Sequence, residues 1–375
     1  MSGMVLALAD DTTGALEVGA QFASAGVRTR VSLRCGLNRS IRVLVVDAHT
    51  RRLKQAQARS RIRRLAAAAR ANGIPFLYKK TDSTLRGNIA AELQAMLDVF
   101  PERVLIYAPA YPRMGRVVTG GELSVDGVPL GSIPALLVRG CAAPVLLAAG
   151  VAELEALLDS AATGSIIVCD GRSEEDLSAA AAALSRSGRL SIAAGPAGFS
   201  GYWIRTLPVE RGSVASRPAV RRCLVLSGSM DPASLEQVRR AAQDGLPTVF
   251  VQQDEAADSR TAAEVSSRLA AGGCAVLATP GVCPRGVSQR VGAIAGRVLE
   301  TQTVDGIVVF GGQTTWALLQ TLGVTEIEPR FDLLPGTPLS LIRRRGRDIV
   351  LVTKAGGFGG PDTLLSIRKR LEDNP

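Results

Sequence analysis

Histidine occurs once in the chain, at position 49, and that scarcity removes several chemistries together. A zinc site of the H-E-x-x-H type needs two histidines, and a Ser-His-Asp triad would have to use His49 without any G-x-S-x-G turn to present a nucleophile. A lone histidine after a strand reads more simply as a structural residue. Neither G-x-x-x-x-G-K-[ST] nor a strand-borne G-x-G-x-x-G is present, so any phosphate must be held by other loops. Aromatic residues make up only 4% of the chain. None interleaves with the densest basic stretch, Arg51 to Arg70, which leaves nothing there to stack nucleic-acid bases. Lysine is scarce as well, five of the 44 basic residues, so the surplus over 34 acidic residues reads as a bias towards arginine rather than as the footprint of a polyanion. No apolar window reaches the length of a membrane span. The opening MSGMVLALADD has a short apolar run and no basic flank, so neither membrane partner nor signal peptide is expected and the cytoplasm is the default. The six cysteines lack C-x-x-C spacing and lie in apolar stretches, as reduced, buried thiols would.

What the chain has instead is alternation. Short runs rich in Val, Ile and Leu (VLALA, VLVVD, FLYKK, VLIYA, SIIVC, LSIAA, CLVLS, TVFV, CAVLA, GIVVF, DIVLV) are separated by Ala/Leu/Arg segments of helical period. Continuously apolar strands alternating with helices predict βαβ units whose parallel sheets are covered on both faces. In Arg51 to Arg70, Leu53, Ala58, Ile62, Leu65 and Ala69 recur at helical spacing, predicting an amphipathic helix with a solvated basic face. The segment 208–222 has no apolar periodicity, holds two prolines, and reads as a linker. The expectation is an α/β protein of two domains, residues 1–212 and 220–375, each with a mainly parallel sheet flanked by helices, and an active site in the cleft between them.

The polar motifs follow the strands, where open parallel sheets bind ligands. Asp10 and Asp11 in ADDTTGA place two carboxylates at a strand end, more than helix capping by Thr12 or Thr13 requires. In KKTDSTLRGN, the cations Lys79, Lys80 and Arg86 crowd around Asp82 with Thr81, Ser83, Thr84 and Asn88. Such a loop suits an anionic small molecule, with arginine able to fork a carboxylate. Asp11 and Asp82 are both candidates for the group that accepts a substrate proton. In the second half, Ser227-Gly228-Ser229, Gly311-Gly312-Gln313-Thr314-Thr315 and Lys354-Ala355-Gly356-Gly357-Phe358-Gly359-Gly360 each follow a strand. Their backbone N–H groups can form anion-binding nests that together enclose a polyphosphate.

In this order, ADDTTGA, KKTDSTLRGN, APAYPRMGRVVTGGELSVDGVPL, SGSMDPASLEQ, GGQTTWALL and VTKAGGFGGPDTL resemble the motifs of the four-carbon acid sugar kinase family over nearly the whole chain. The resemblance implies an N-terminal domain for the acid sugar and a C-terminal domain for ATP with Mg²⁺. It places Asp11, Arg51, Asp82, Ser83, Thr84 and Arg86 at the sugar, and Ser229, residues Gly311 to Thr314 and residues Gly356 to Gly359 at ATP. Two departures stand out: Gln313 occupies a position where that family has an acidic residue, and the stretch after Leu130 is short. The expected activity is ATP-dependent phosphorylation of a hydroxyl on a small sugar acid. The alternatives are an ATP-dependent enzyme of another small hydroxy-acid and a binding homologue that has lost turnover. No metal ligand is assigned, and a homodimer is a candidate assembly.

Overall fold

The computed structural model describes residues 3–34, 41–189, 191–214, 216, 218–281 and 286–373. The chain divides into two compact units, Met1–Val214 and Ala215–Pro375. The first unit runs β1 (Val5–Ala9), α1 (Thr12–Ser24), β2 (Arg30–Ser32), β3 (Val43–Asp47), α2 (Gln55–Ala71), β4 (Phe76–Lys80), α3 (Ile89–Val99) and β5 (Val104–Tyr107). It continues with β6 (Arg116–Thr119), β7 (Glu122–Val125), β8 (Val128–Ser132), α4 (Ile133–Val138), β9 (Val145–Ala148), α5 (Val151–Ser160), β10 (Ile166–Cys169), α6 (Glu174–Arg186), β11 (Ser191–Gly195) and α7 (Ala197–Thr206).

Its main sheet has the order β2-β3-β1-β4-β11-β5-β10-β9, with every neighbouring pair parallel. Helices on both faces of such a sheet leave its central strands no polar side, which is why β1 and β3 are buried along their full length. Helix α2 buries Ala58, Ile62, Leu65, Ala66 and Ala69, the stripe set by helical spacing, while Leu53 precedes the helix and stays partly exposed. Several arginines on its other face are engaged by neighbours, Arg59 with Asp98 and Arg70 with Glu102.

A small antiparallel sheet, β6-β7-β8, was not expected from apolar runs because its strands alternate polar and apolar residues. Its turn was nevertheless written in the chain. Asp126 and Gly127, at φ +50° and +81°, join Val125 to Val128 as the Asp-Gly pair of a tight hairpin does. Behind the main sheet, Trp203 lies 5.3 Å from the Tyr78 ring and 6.2 Å from that of Phe22, and the Tyr78 hydroxyl donates to Pro196 O at 2.6 Å.

The second unit contains β12 (Cys223–Ser227), α8 (Pro232–Gln243), β13 (Thr248–Phe250), α9 (Asp258–Gly272), β14 (Cys274–Ala278), α10 (Val287–Thr301) and β15 (Gly306–Phe310). It closes with α11 (Gly312–Thr321), β16 (Glu326–Leu334), β17 (Thr337–Arg344), β18 (Arg347–Lys354) and α12 (Thr363–Glu372). Strands β13-β14-β12-β15-β18 are parallel, and β17 and β16 extend the sheet antiparallel. These last two escaped the reading of apolar runs. Pro329 and bulges interrupt β16, and polar residues alternate along it.

The cysteines need one correction. Cys169, Cys223 and Cys274 are buried, but Cys141 is only half-buried, its thiol donating to Gln94 Oε1 at 2.9 Å; Cys35 and Cys283 lie outside the described residues. Among the described residues no helix is long and apolar enough to cross a membrane.

Trp203 is 4% exposed and joins α7 to the sheet through Tyr78 and Phe22. Trp203→Ala should cost the first unit about 3 kcal/mol by leaving a cavity that rigid strands cannot close. Urea titration followed by far-UV circular dichroism measures it; a loss below about 1 kcal/mol would show that the cluster does not brace the sheet.

Candidate active site

In the first unit, β1 lies between β3 and β4, so the crossovers leave β1 in opposite directions and open a crevice at the strand ends. Three loops meet there. After β1 come Asp10 and Asp11, the latter capping α1 by accepting from Gly14 N at 2.8 Å. After β3 come His49, Thr50 and Arg51; after β4 come Thr81 to Asn88.

Arg51 ties the loops together. Its Nε and Nη2 fork Asp10 at 2.7 and 3.1 Å, its Nη1 binds Asp11, and its Nη2 lies 3.3 Å from Asp82. Asp82 organises its own loop: Oδ1 accepts from Thr84 N at 3.0 Å, Thr84 Oγ1 at 2.7 Å and Arg86 Nε at 3.0 Å, and Oδ2 from Arg86 Nη2 at 2.8 Å. Wrapping the chain around one carboxylate forces Leu85 to φ +60°, and His49 in the neighbouring loop sits at +48°, conformations that side chains adopt only when their surroundings impose them. Ser83 and Thr84 are partly exposed on this turn. The Asn88 amide donates to Thr50 O and Leu53 O, each at 3.0 Å, and so braces the β3 loop against the β4 loop.

The carboxylates differ in basicity. Burial pushes Asp10 upward, but Arg51, Lys80 and Lys79 outweigh it and hold the group below its ordinary value. Burial dominates at Asp11, and with Asp10 beside it the carboxyl is raised despite Arg51. Burial is overcome at Asp82 by hydrogen bonds from Arg86 and the charges of Arg51 and Arg86, so that group is strongly lowered. Lys80 is buried, donates to Thr81 O at 2.8 Å, and packs its Nζ where a side chain at Gly14 would begin, 2.7 Å from that Cβ position. Lys79 is buried in an ion pair with Glu92 at 2.7 Å.

The second unit repeats the device with backbone in place of carboxylates. Strand β12 has β14 on one side and β15 on the other, and the loops after β12, β15 and β18 converge. A Cβ on Gly228 would stand 2.5 Å from Thr314 Oγ1, and one on Gly356 would stand 2.8 Å from Ser229 Oγ, so a larger residue at either position would displace those hydroxyls. Gly311 caps α11 and donates to Lys354 O at 2.8 Å, so the first turn of α11, Gly312 to Thr314, presents the positive end of the helix dipole at this convergence. Gln313 is exposed on that turn. Ser227 Oγ is buried without a hydrogen-bond partner among the described residues.

Lys354 lies beneath these loops. Its Nζ donates to Ala355 O, Gly356 O and Phe358 O at 2.8, 2.9 and 2.8 Å and stands 4.6 Å from the centre of the Phe310 ring. Burial lowers its pKa to about 8. Gln237 Nε2 holds the other side of the loop through Phe358 O, Gly359 O and Gly360 O, each at 3.0 Å, and Ser234 Oγ donates to Gly356 O at 2.7 Å. Gly356, Gly357 and Gly359 therefore belong to a loop pinned from within while its outer surface is exposed or half-exposed.

Family models describe this arrangement in two parts: a sugar-binding N-terminal domain matches residues 5–136, and a nucleotide-binding C-terminal domain matches residues 224–364. A D-threonate kinase of Bordetella bronchiseptica is 30% identical, the match covering 98% of this chain and 97% of that one. The chain belongs to the four-carbon acid sugar kinase family. Other kinases of the family are a D-erythronate kinase of Heliobacterium modesticaldum, 25% identical over 96% of this chain and 95% of its own, and a 3-oxo-tetronate kinase of Methylobacterium radiotolerans, 28% identical over 95% and 96%. A solved Salmonella typhimurium structure shares the fold with a TM-score of 0.78 at 20% identity, covering 98% of this chain and 99% of its own. A Haemophilus influenzae structure does so with 0.71 at 21% identity, over 98% and 100%.

For this family member, the structure brings Asp10, Asp11, Arg51, Lys80, Asp82 and Arg86 into one cluster in the first unit, and Ser229, Gly311, Thr314 and Gly356 into another in the second. Four side chains that motif reading did not single out support them: Glu92, Ser234, Gln237 and Asp47. Asp47 carried a signal as the acid ending VLVVD, and Ser234 and Gln237 lie within the SGSMDPASLEQ motif. Asp47 accepts from Thr12 Oγ1 at 2.6 Å and His49 N at 2.9 Å, and burial, with Asp11 and Asp10 nearby, raises it to about 8. Burial and Arg61 lower His49 to about 4, so that imidazole is neutral near pH 7.

Because Asp47 binds its proton more tightly folded than unfolded, the stability it contributes is complete below about pH 4 and is lost as pH rises through 8. Asp47→Asn should flatten that loss, on the order of a few kcal/mol between pH 5 and 8, in urea unfolding at the two pH values. An unchanged slope would show that Asp47 ionises normally.

Proposed function

We propose that the chain is an ATP-dependent kinase that transfers the γ-phosphoryl group to a hydroxyl of a four-carbon sugar acid. The observation carrying this reading is the division of labour between the two clusters: one of paired carboxylates and guanidinia, the other of open backbone N–H groups. The kinase names of relatives matched along their full length support the same reading.

Asp11 is assigned as the group that orients the attacking hydroxyl and accepts its proton. It is 23% exposed, against 2% for Asp10 and 4% for Asp82, and it is the one of the three held above its ordinary basicity. Asp82, saturated with donors, shapes the loop instead. Arg51 was expected to grip the substrate carboxylate, yet its guanidinium is already shared among Asp10, Asp11 and Asp82; its role is to hold Asp11 in place. Arg86 is 66% exposed and engages Asp82 through Nε and Nη2, which leaves Nη1 for the acid group of the sugar. Ser83 and Thr84 supply hydroxyls on the same turn.

The polyphosphate is assigned to the start of α11, the Ser227–Ser229 turn and the Gly356–Gly359 loop, where fixed N–H dipoles need no reorganisation during transfer. Among the described residues no three carboxylate, histidine or cysteine side chains cluster as a metal site. We assign Mg²⁺ to phosphate oxygens, with Asp231, which caps α8 and lies beside Gly356 and Gly357, as an acidic side chain at those loops. With Gln313 exposed and uncharged on α11, it supplies an amide there rather than a cation ligand. We place the enzyme in the cytoplasm, where ATP is abundant and thiols stay reduced.

The test is ADP release with product mass spectrometry on D-threonate, D-erythronate and 3-oxo-tetronate. The expected product carries one added phosphoryl group, and Asp11→Asn should lower kcat by about 10²-fold or more with ATP binding intact. Absence of a phosphorylated product from all three acids would sink the assignment; a variant as active as the parent would remove Asp11 from the proton-accepting role.

A further inference from the structure

Two cysteines that phosphoryl transfer does not use stand side by side in the second unit. Cys223 opens β12 and Cys274 opens β14, and the two are directly paired in the parallel register of those strands. Both side chains join the same core cluster, with Val220, Ile367 and Leu371, so they point to one face of the sheet. The neighbouring Cys274 thiol and burial push the Cys223 thiol well up, and both cysteines are free. They are 9% and 6% exposed, room for a small oxidant but not for a bulky one. Neighbouring strands bring paired Cα atoms to about 5 Å, inside the span that a disulfide bridges.

We propose that Cys223 and Cys274 form a reversible disulfide when the protein meets a peroxide. The attacking group is Cys274. The neighbouring Cys223 thiol and the Arg368 charge on α12 lower its pKa against burial, and Arg368 Nε is itself 2.7 Å from Glu372. The thiolate sulfur attacks one peroxide oxygen and breaks the O–O bond, giving a sulfenic acid and hydroxide. The Cys223 thiol passes its proton to that hydroxide, and its sulfur attacks the sulfenic sulfur. The sulfenic oxygen leaves as hydroxide and takes up the proton that the Cys274 thiol gave to solvent on ionising, so two thiols and one peroxide become a disulfide and two waters. Exchange with a dithiol reverses the step.

The bond would link strand starts, whereas the Ser227–Ser229 turn lies at the other end of β12, so turnover should survive oxidation. The effect falls on stability: the link closes the chain segment carrying α8, β13 and α9, which lowers the entropy of the unfolded state. It also spares Cys274 from further oxidation, since the sulfenic acid meets a partner thiol at once.

The full chain is treated with hydrogen peroxide and mapped by tryptic digestion with mass spectrometry. The expected result is a crosslinked peptide pair containing Cys223 and Cys274, lost on dithiothreitol treatment, with a melting transition raised by several degrees and kcat within about twofold of the reduced enzyme. Cys283 shares a tryptic peptide with Cys274. The crosslink should therefore persist in Cys283→Ser and vanish in Cys223→Ser and in Cys274→Ser. Free thiols after oxidation, a sulfinic acid at Cys274 with Cys223 still reduced, or a crosslink lost in Cys283→Ser would each overturn the proposal.

Discussion

One guanidinium holds the first unit's site together. Parallel strands β1 and β4 deliver Asp10, Asp11 and Asp82 to neighbouring strand ends, and three carboxylates so close would repel one another and resist burial. Arg51 touches all three. Around it the charges close in number: Asp10, Asp11, Asp82 and Glu92 face Arg51, Arg86, Lys79 and Lys80. Asp47, with its pKa raised by burial, stays outside this balance as a neutral acid near pH 7. Removing Arg51 would leave buried carboxylates uncompensated, which costs more than the pair contributes when intact. The strained backbone at Leu85 and His49 belongs to the same constraint, since both residues lie in loops drawn towards the cluster.

The second unit meets the opposite demand. A polyphosphate, the ligand proposed for it, brings its own negative charge, and these loops offer it backbone donors. Lys354 shows how that is built: three carbonyls take its three donors, which turns the lysine into a fastener for the glycine loop rather than a hand for the ligand. Gln237 does the same from α8 with a neutral amide. Pinning the carbonyls inward leaves the outer face of the loop to its N–H groups. That polarity follows from which side of each peptide plane is tied down.

Much of this was legible in the chain. All eleven apolar runs are strands, because a parallel strand covered on both faces must be apolar throughout and so announces itself. The strands that escaped, β6 to β9, β16 and β17 among them, alternate polar residues or lie at edges, where burial dictates less. The site loops were legible for a similar reason: carboxylates, arginines and glycines directly after buried strands have little structural excuse. What could not be read was who partners whom. Arg51 and Arg86 were natural hands for a substrate acid, but forty residues of sequence separate Arg51 from Asp11, and only the topology shows that its guanidinium is already shared. Lys354 and Asn88 stood in motifs as ligand hands, but that they brace loops instead shows only in their partners.

The choice between Asp11 and Asp82 follows from the same accounting. A carboxylate at the centre of a donor shell is stabilised as an anion, and each added hydrogen bond makes it a weaker base. Asp82 has five such bonds, two of them from an arginine fork, and their benefit is spent on the geometry of its loop. Asp11 accepts one backbone N–H at the head of α1 and one guanidinium contact, and keeps an exposed edge. A group that must meet a hydroxyl and take its proton needs an open lone pair and a modest hold on its charge. On the proposed assignment, Asp11 offers both: burial and the neighbouring Asp10 raise its basicity, and Arg51, shared with Asp10 and Asp82, only partly offsets them.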